Sequence, residues 1–247
     1  MYRTFFLSTS LVLGFQFVGL WAATTEINPY ADGQMYVAYQ SYNDTSSSMN
    51  VGQYAYGYNI HYYVGLANWA GVDLTPLQGV SNATLNIYVQ EFLIPDLSNG
   101  GGTTSAPTLV SSPTGNFVMK VVALSGAPNP ASMNDAWVKT NMIDVAGVGS
   151  VTLTNSGYAA VSIGNTVANW ISAGSGSRWL GFVGTGSATS NYTSVKLGTL
   201  EDVKNLDGDI TSPKAPMYLT IPEPSVFGLF GSALLSFWMG RRKRSKA

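Results

Sequence analysis

The sequence predicts an all-β protein, a jelly-roll-like β-sandwich with one short helix, flanked by an N-terminal signal helix and a C-terminal transmembrane helix. Three observations predict it. Short runs of β-branched and aromatic residues recur through residues 24–221, broken by clusters of Gly, Ser, Asn and Pro. In ATLNIYVQ, Leu85, Ile87 and Val89 alternate with Thr84, Asn86 and Tyr88, the period of a half-buried strand. Long uncharged apolar stretches occur only at the two ends of the chain.

The first 23 residues have the layout of a secretory signal peptide. Arg3 supplies the positive start, residues 5–21 the apolar stretch, and Ala22 and Ala23 the small residues at which signal peptidase cuts, near residues 22–24. Candidate strands then fall at residues 34–39, 59–66, 83–92, 117–124, 158–163, 178–183, 195–200 and 217–221. One segment, SIGNTVANWISAG, breaks the strand pattern. Val167, Trp170 and Ile171 stand there at i, i+3 and i+4, so it predicts a short amphipathic helix with Asn165 as N-cap. Many strands with one helix laid over them suggest the jelly-roll sandwich. Residues 98–116 and 184–191, rich in Gly, Ser and Thr, read as surface loops within a single domain covering residues 24–221.

The last 26 residues differ in kind. Pro222 and Pro224 flank Glu223 and keep the chain extended at that point. Residues 225–240 carry no charge. As a transmembrane helix they would rise about 24 Å, short of the roughly 30 Å hydrocarbon core. Trp238 stands at an interfacial position, and the basic cluster Arg241, Arg242, Lys243, Arg244 and Lys246 follows at once in the tail 241–247. Such a cluster holds its end in the cytoplasm and leaves the preceding body outside.

Pro222-Glu223-Pro224, a short apolar run and an Arg-rich end together resemble the PEP-CTERM sorting signal of Gram-negative bacteria. The resemblance covers residues 221–247. It implies an inner-membrane-anchored precursor that an exosortase processes, then release to the cell surface or extracellular matrix. The body resembles the DNRLRE domain, a β-sandwich of bacterial surface proteins. The likeness lies in Ala31-Asp32 opening a strand, the glycine-punctuated VGQYAYGYN, Val72-Asp73-Leu74 before Ala83–Val89, and the run from Val161 to Trp170 followed by the strand at 178–183. The chain departs from that family at residues 68–74, where it usually shows an Arg-Phe-Asp-Leu type run, and at residues 197–201, where it shows a late Ser-x-Glu.

Composition excludes several chemistries. The chain has no cysteine, so disulfides, zinc-thiolate sites and thiol nucleophiles are absent. Residues 24–221 hold twelve acidic and six basic side chains, a net charge of −6, and the six cations are scattered. Nucleic acid, which needs clustered Lys and Arg, is not a predicted partner. His61 is the single histidine; it lies in IHYYV among bulky neighbours, and no Gly-x-Ser-x-Gly elbow occurs. It reads as a strand histidine with its ring nitrogens satisfied or wet. No local motif pairs carboxylates for glycoside hydrolysis, and the chain reads as a non-enzyme.

No cofactor is predicted, with one alternative. Asn205, Asp207 and Asp209 begin like a calcium loop, but Ile210 stands where an EF-hand needs Gly, so a solvated turn is the reading and a structural calcium site the alternative. Tyr54, Tyr56 and Tyr58 would share one face of a strand, with Trp69 nearby. Exposed, these rings would form a carbohydrate face; buried, they are core. The expected function is that of an exported, exosortase-sorted cell-surface or extracellular-matrix protein with a non-catalytic structural or adhesive body. The alternative is a carbohydrate-binding module for extracellular polysaccharide.

Overall fold

The computed structural model describes residues 25–46, 48–56, 59–79, 82–94, 108–113, 115–174, 177–186, 193–200 and 217–221. Residues Thr24–Glu223 form one compact unit. Its described residues form thirteen strands: β1 (Thr25–Ile27), β2 (Ala31–Tyr36), β3 (Ser41–Asn43), β4 (Ser48–Tyr56), β5 (Asn59–Asn68), β6 (Thr84–Ile94), β7 (Thr108–Val110), β8 (Phe117–Leu124), β9 (Gly149–Leu153), β10 (Gly157–Ser162), β11 (Trp179–Thr185), β12 (Ser194–Gly198) and β13 (Met217–Ile221). All pair antiparallel in one hydrogen-bonded sheet, in the order β1-β13-β6-β12-β4-β5-β11-β8-β9. Strands β7 and β10 add to β6, β2 adds to β5, and β3 adds to β2. The all-β antiparallel fold is therefore as the sequence predicts.

The sheet folds over itself, and inward side chains from β6, β12 and β13 meet those of β8 and β11 in one cluster. On β6, Leu85, Ile87 and Val89 are fully buried, as the alternation requires. The pairing with β12 then slips: Lys196 faces Glu91, but Leu197 faces Val89. This bulge leaves Gln90 over, so Phe92, three residues after Val89, also points into the core. Strands β9 and β10 run side by side, with Gly149 backed against the Ser162 carbonyl so closely that a Cβ there would overlap it.

All eight predicted strands are present, two of them (β8 and β13) with the predicted bounds and six with a shifted end. The first begins earlier, at Ala31, and its last three residues, Val37–Tyr39, turn as a 3-10 helix that closes on Gln40 at φ 49°. Three-residue strands β1, β3 and β7 are too short for a periodic signal, and β7 lies inside the predicted loop 98–116. Strand β4 runs unbroken through Gly52, which has φ 143°. The predicted loop 184–191 starts late, because Gly184 and Thr185 still pair in β11.

The predicted helix is α2 (Thr166–Ala173), with Val167 and Trp170 buried. Asn165 occupies the N-cap position, but its side chain makes no capping bond. Its backbone carbonyl instead accepts from the Asn169 N–H at 2.9 Å. A further helical segment, α1 (Asp135–Val138) running into a π-turn (Lys139–Ile143), joins β8 to β9. It covers a second cluster, formed by Met35, Val64, Leu66, Val122, Leu124 and Val183 on the outer face of β2, β5, β8 and β11, together with Met133 just ahead of it and its own Val138 and Met142. The signal helix and the transmembrane helix 225–240 lie outside the described residues. Among the described residues no helix is long and apolar enough to cross a membrane.

Candidate functional site

The aromatic face is only partly in view. Tyr54 and Tyr56 lie on β4, in register with His61 and Asn59 of β5; their side chains, and the whole of Tyr58, lie outside the described residues. Trp69 does not belong to a solvent-facing surface. It is fully buried, stacks on Trp170 at 6.0 Å, and donates its indole N–H to the Ile27 carbonyl at 3.3 Å. The reason is its place one residue past the end of β5. There its backbone N–H bonds the Arg178 carbonyl at 2.9 Å and turns the ring inward toward α2. Trp69 is core, the buried one of the two places the sequence left open, and it drops out of the alternative sugar face.

The tyrosines that follow are held by their surroundings. Tyr36 and Tyr63 are register partners on β2 and β5, with rings edge to face at 5.3 Å. Burial, with Tyr36 and Tyr39 beside it, pushes the Tyr63 hydroxyl up to about 12. Tyr62 is also raised, mainly by burial and then by the Asp135 carboxylate.

His61 has a partner that sequence reasoning missed. Its Nδ1 lies 2.8 Å from Asp135 Oδ2, with side-chain exposures of 15% and 41%. Asp135 opens α1, whose N-cap Asn134 accepts from the Trp137 N–H at 2.9 Å. The sequence signal was this Asn-Asp pair ahead of an apolar turn, 74 residues from His61. The pair fastens α1 to β5. At the other end of the helical segment, the Lys120 ammonium donates to the carbonyls of Ile143 and Val145. Burial lowers the Lys120 pKa while Asp144 opposes that shift. Cations at a helix C-terminus are favourable, so both ends of the segment are anchored.

Among the described residues no group of three or more His, Cys, Asp or Glu side chains could hold a metal ion. Asn205, Asp207 and Asp209 lie outside the described residues, as do Pro222, Glu223, Pro224 and the basic cluster at Arg241, Arg242, Lys243, Arg244 and Lys246. What the structure does place is the first and last strands of the body. Thr25 pairs with Ile221 and Glu26 with Thr220, so the chain enters and leaves the body on neighbouring strands. Strand β13 is also hydrogen-bonded to β6 along Met217–Thr220. The residue before Pro222 is thereby fixed in the sheet.

No characterised protein matches the chain in a comparison with curated sequences. Residues 220–244 match the PEP-CTERM protein-sorting motif. The match starts in the last two residues of β13 and runs through the Pro-Glu-Pro tripeptide, the apolar run and the first four basic residues. This chain therefore carries the PEP-CTERM protein-sorting motif of an exported protein that an exosortase processes.

Proposed function

We propose that residues 24–221 act outside the cell as a non-catalytic structural or adhesive β-sandwich of jelly-roll type, at the surface or in the extracellular matrix of a Gram-negative bacterium. Signal peptidase removes residues 1–23. The helix 225–240 and basic tail 241–247 hold the precursor in the inner membrane, and an exosortase acts near Pro222-Glu223-Pro224. The observation that carries this reading is the sorting motif set directly behind β13. The DNRLRE likeness of residues 28–221 supports a surface role. The absence of a nucleophile motif beside His61 supports the non-catalytic reading. A second reading, a module that binds extracellular polysaccharide, is favoured by exposed rings at Tyr30, Tyr39 and Tyr158.

The test is fractionation of the protein in a host that has the exosortase. Replacing Arg241, Arg242, Lys243 and Arg244 with Ser should weaken retention in the inner membrane, because the short apolar run alone grips lipid modestly. Glu223→Ala should keep the topology and block maturation, since Glu223 lies outside the apolar run and serves recognition. A Glu223→Ala variant that matures like the wild type would contradict the proposal.

A further inference from the structure

The segment between β8 and β9 does more than cover the second core. It leaves a hollow of about 430 Å³ beside the end of β8, between the connection at residues 125–132 and the helical segment. Trp137 forms part of its wall and is half-buried, packed partly against the second core. The turn that carries the ring is held from two sides. Asn134 caps it through the backbone N–H of Trp137, and the neighbouring Asp135 is bonded to His61. An aromatic side chain on an anchored backbone has few torsions left to lose when a ligand stacks on it.

The polar groups around the ring are oriented by bonds they already make. Asn141 donates through Nδ2 to the Trp137 carbonyl at 2.9 Å, which leaves its Oδ1 as an acceptor. Asn129 accepts through Oδ1 from the Ala131 N–H at 3.1 Å, which leaves its Nδ2 as a donor. Ser132 donates to the Asn129 carbonyl at 2.9 Å and keeps its oxygen lone pairs. None of the described residues lining the hollow carries a charge. A ligand for this wall needs one apolar face and a rim of neutral groups that both donate and accept. A sugar ring has both: C–H bonds on one face and hydroxyls at the edge. Another hollow, of about 560 Å³ beside α2, offers the amides of Gln78, Asn165 and Asn169 but no aromatic ring to stack on.

The geometry points to the Trp137 groove as a subsite for one neutral sugar residue of an extracellular polysaccharide. This rests on the polysaccharide-binding reading and gives it a place away from the Tyr54–Tyr58 stretch. Its size is that of an ordinary small-ligand pocket, and its open side lets a polymer continue past it.

The test uses the full chain, purified in a mild detergent and titrated calorimetrically with maltohexaose, cellohexaose and laminarihexaose. At least one should bind with a dissociation constant of about 1 mM or tighter. Trp137→Ala should weaken that binding at least about tenfold. Because this variant also removes packing from the second core, Asn129→Asp is the second probe. It replaces the donor with an acceptor on an exposed residue, should leave thermal stability unchanged, and should weaken binding by a similar factor. Absence of binding by all three sugars overturns the groove. Binding that survives both substitutions but is lost in Tyr54→Ala also overturns it, while leaving the polysaccharide-binding reading standing.

Discussion

The two buried clusters share strands β5, β8 and β11 and were written into the sequence differently. The main core takes one set of alternate residues, among them Phe117, Met119 and Val121 from β8 and Leu180 and Phe182 from β11. The second takes residues these strands send the other way: Val122 and Leu124 from β8, Val183 from β11, Val64 and Leu66 from β5. A strand apolar on one face needs one covering layer, and a strand apolar on both needs two. The run FVMKVVAL at β8 belongs to the second type. Its end called for a covering element, which the chain supplies at residues 130–143. The main core is closed by the sheet itself, whereas the second depends on a short helical segment held at its ends by His61 and Lys120.

This difference can be broken by substitution. Trp69→Ala should have the largest effect. It empties a fully buried site and removes the stack on Trp170, at a cost of about 3–5 kcal/mol in urea unfolding. Met142→Ala removes a fully buried side chain from beneath the thinner cover and should cost about 2 kcal/mol, at the low end for such a change. Hydrogen exchange should then show protection lost across residues 135–143 and kept in β6 and β13. If Met142→Ala matched Trp69→Ala and opened both regions, the two clusters would be one cooperative core.

The smallest expected effect depends on pH. The Tyr63 hydroxyl ionises near 10.0 when unfolded and at about 12 in the fold. Between those values the unfolded chain releases a proton that the folded chain keeps. Its contribution is therefore complete below pH 10 and is lost as pH rises through 12. The loss should be about 1 kcal/mol once screening by solvent around this partly exposed ring is allowed for. Tyr63→Phe should flatten the fall in melting temperature over that range. An unchanged slope would show that another group governs alkaline unfolding.

What could be read from the sequence followed the range of each signal. Strand β6 and helix α2 carry their periodicity locally, and both were legible. Strands β1 and β3 hold three residues each and exist through their partners, β13 and β2, so local pattern carried no trace of them. Trp69 was left open between core and sugar face because ring type says nothing of direction. Its place just past β5, where its backbone bonds the Arg178 carbonyl, puts the ring in the core. Asp135 was invisible as a partner of His61 because the pairing is tertiary. The sorting motif was fully legible, since an enzyme reads it as an ordered stretch of chain and its meaning does not wait on folding.

The central claim is that the tail is an address removed on arrival, attached to a body whose two ends leave on neighbouring strands. Intact-mass measurement of the mature protein, isolated from a host with the exosortase, tests it most directly. The expected chain begins near residue 24, ends near Pro222-Glu223-Pro224, and lacks the apolar run and the basic tail. A mature chain that still contains residues 241–247 would contradict the account.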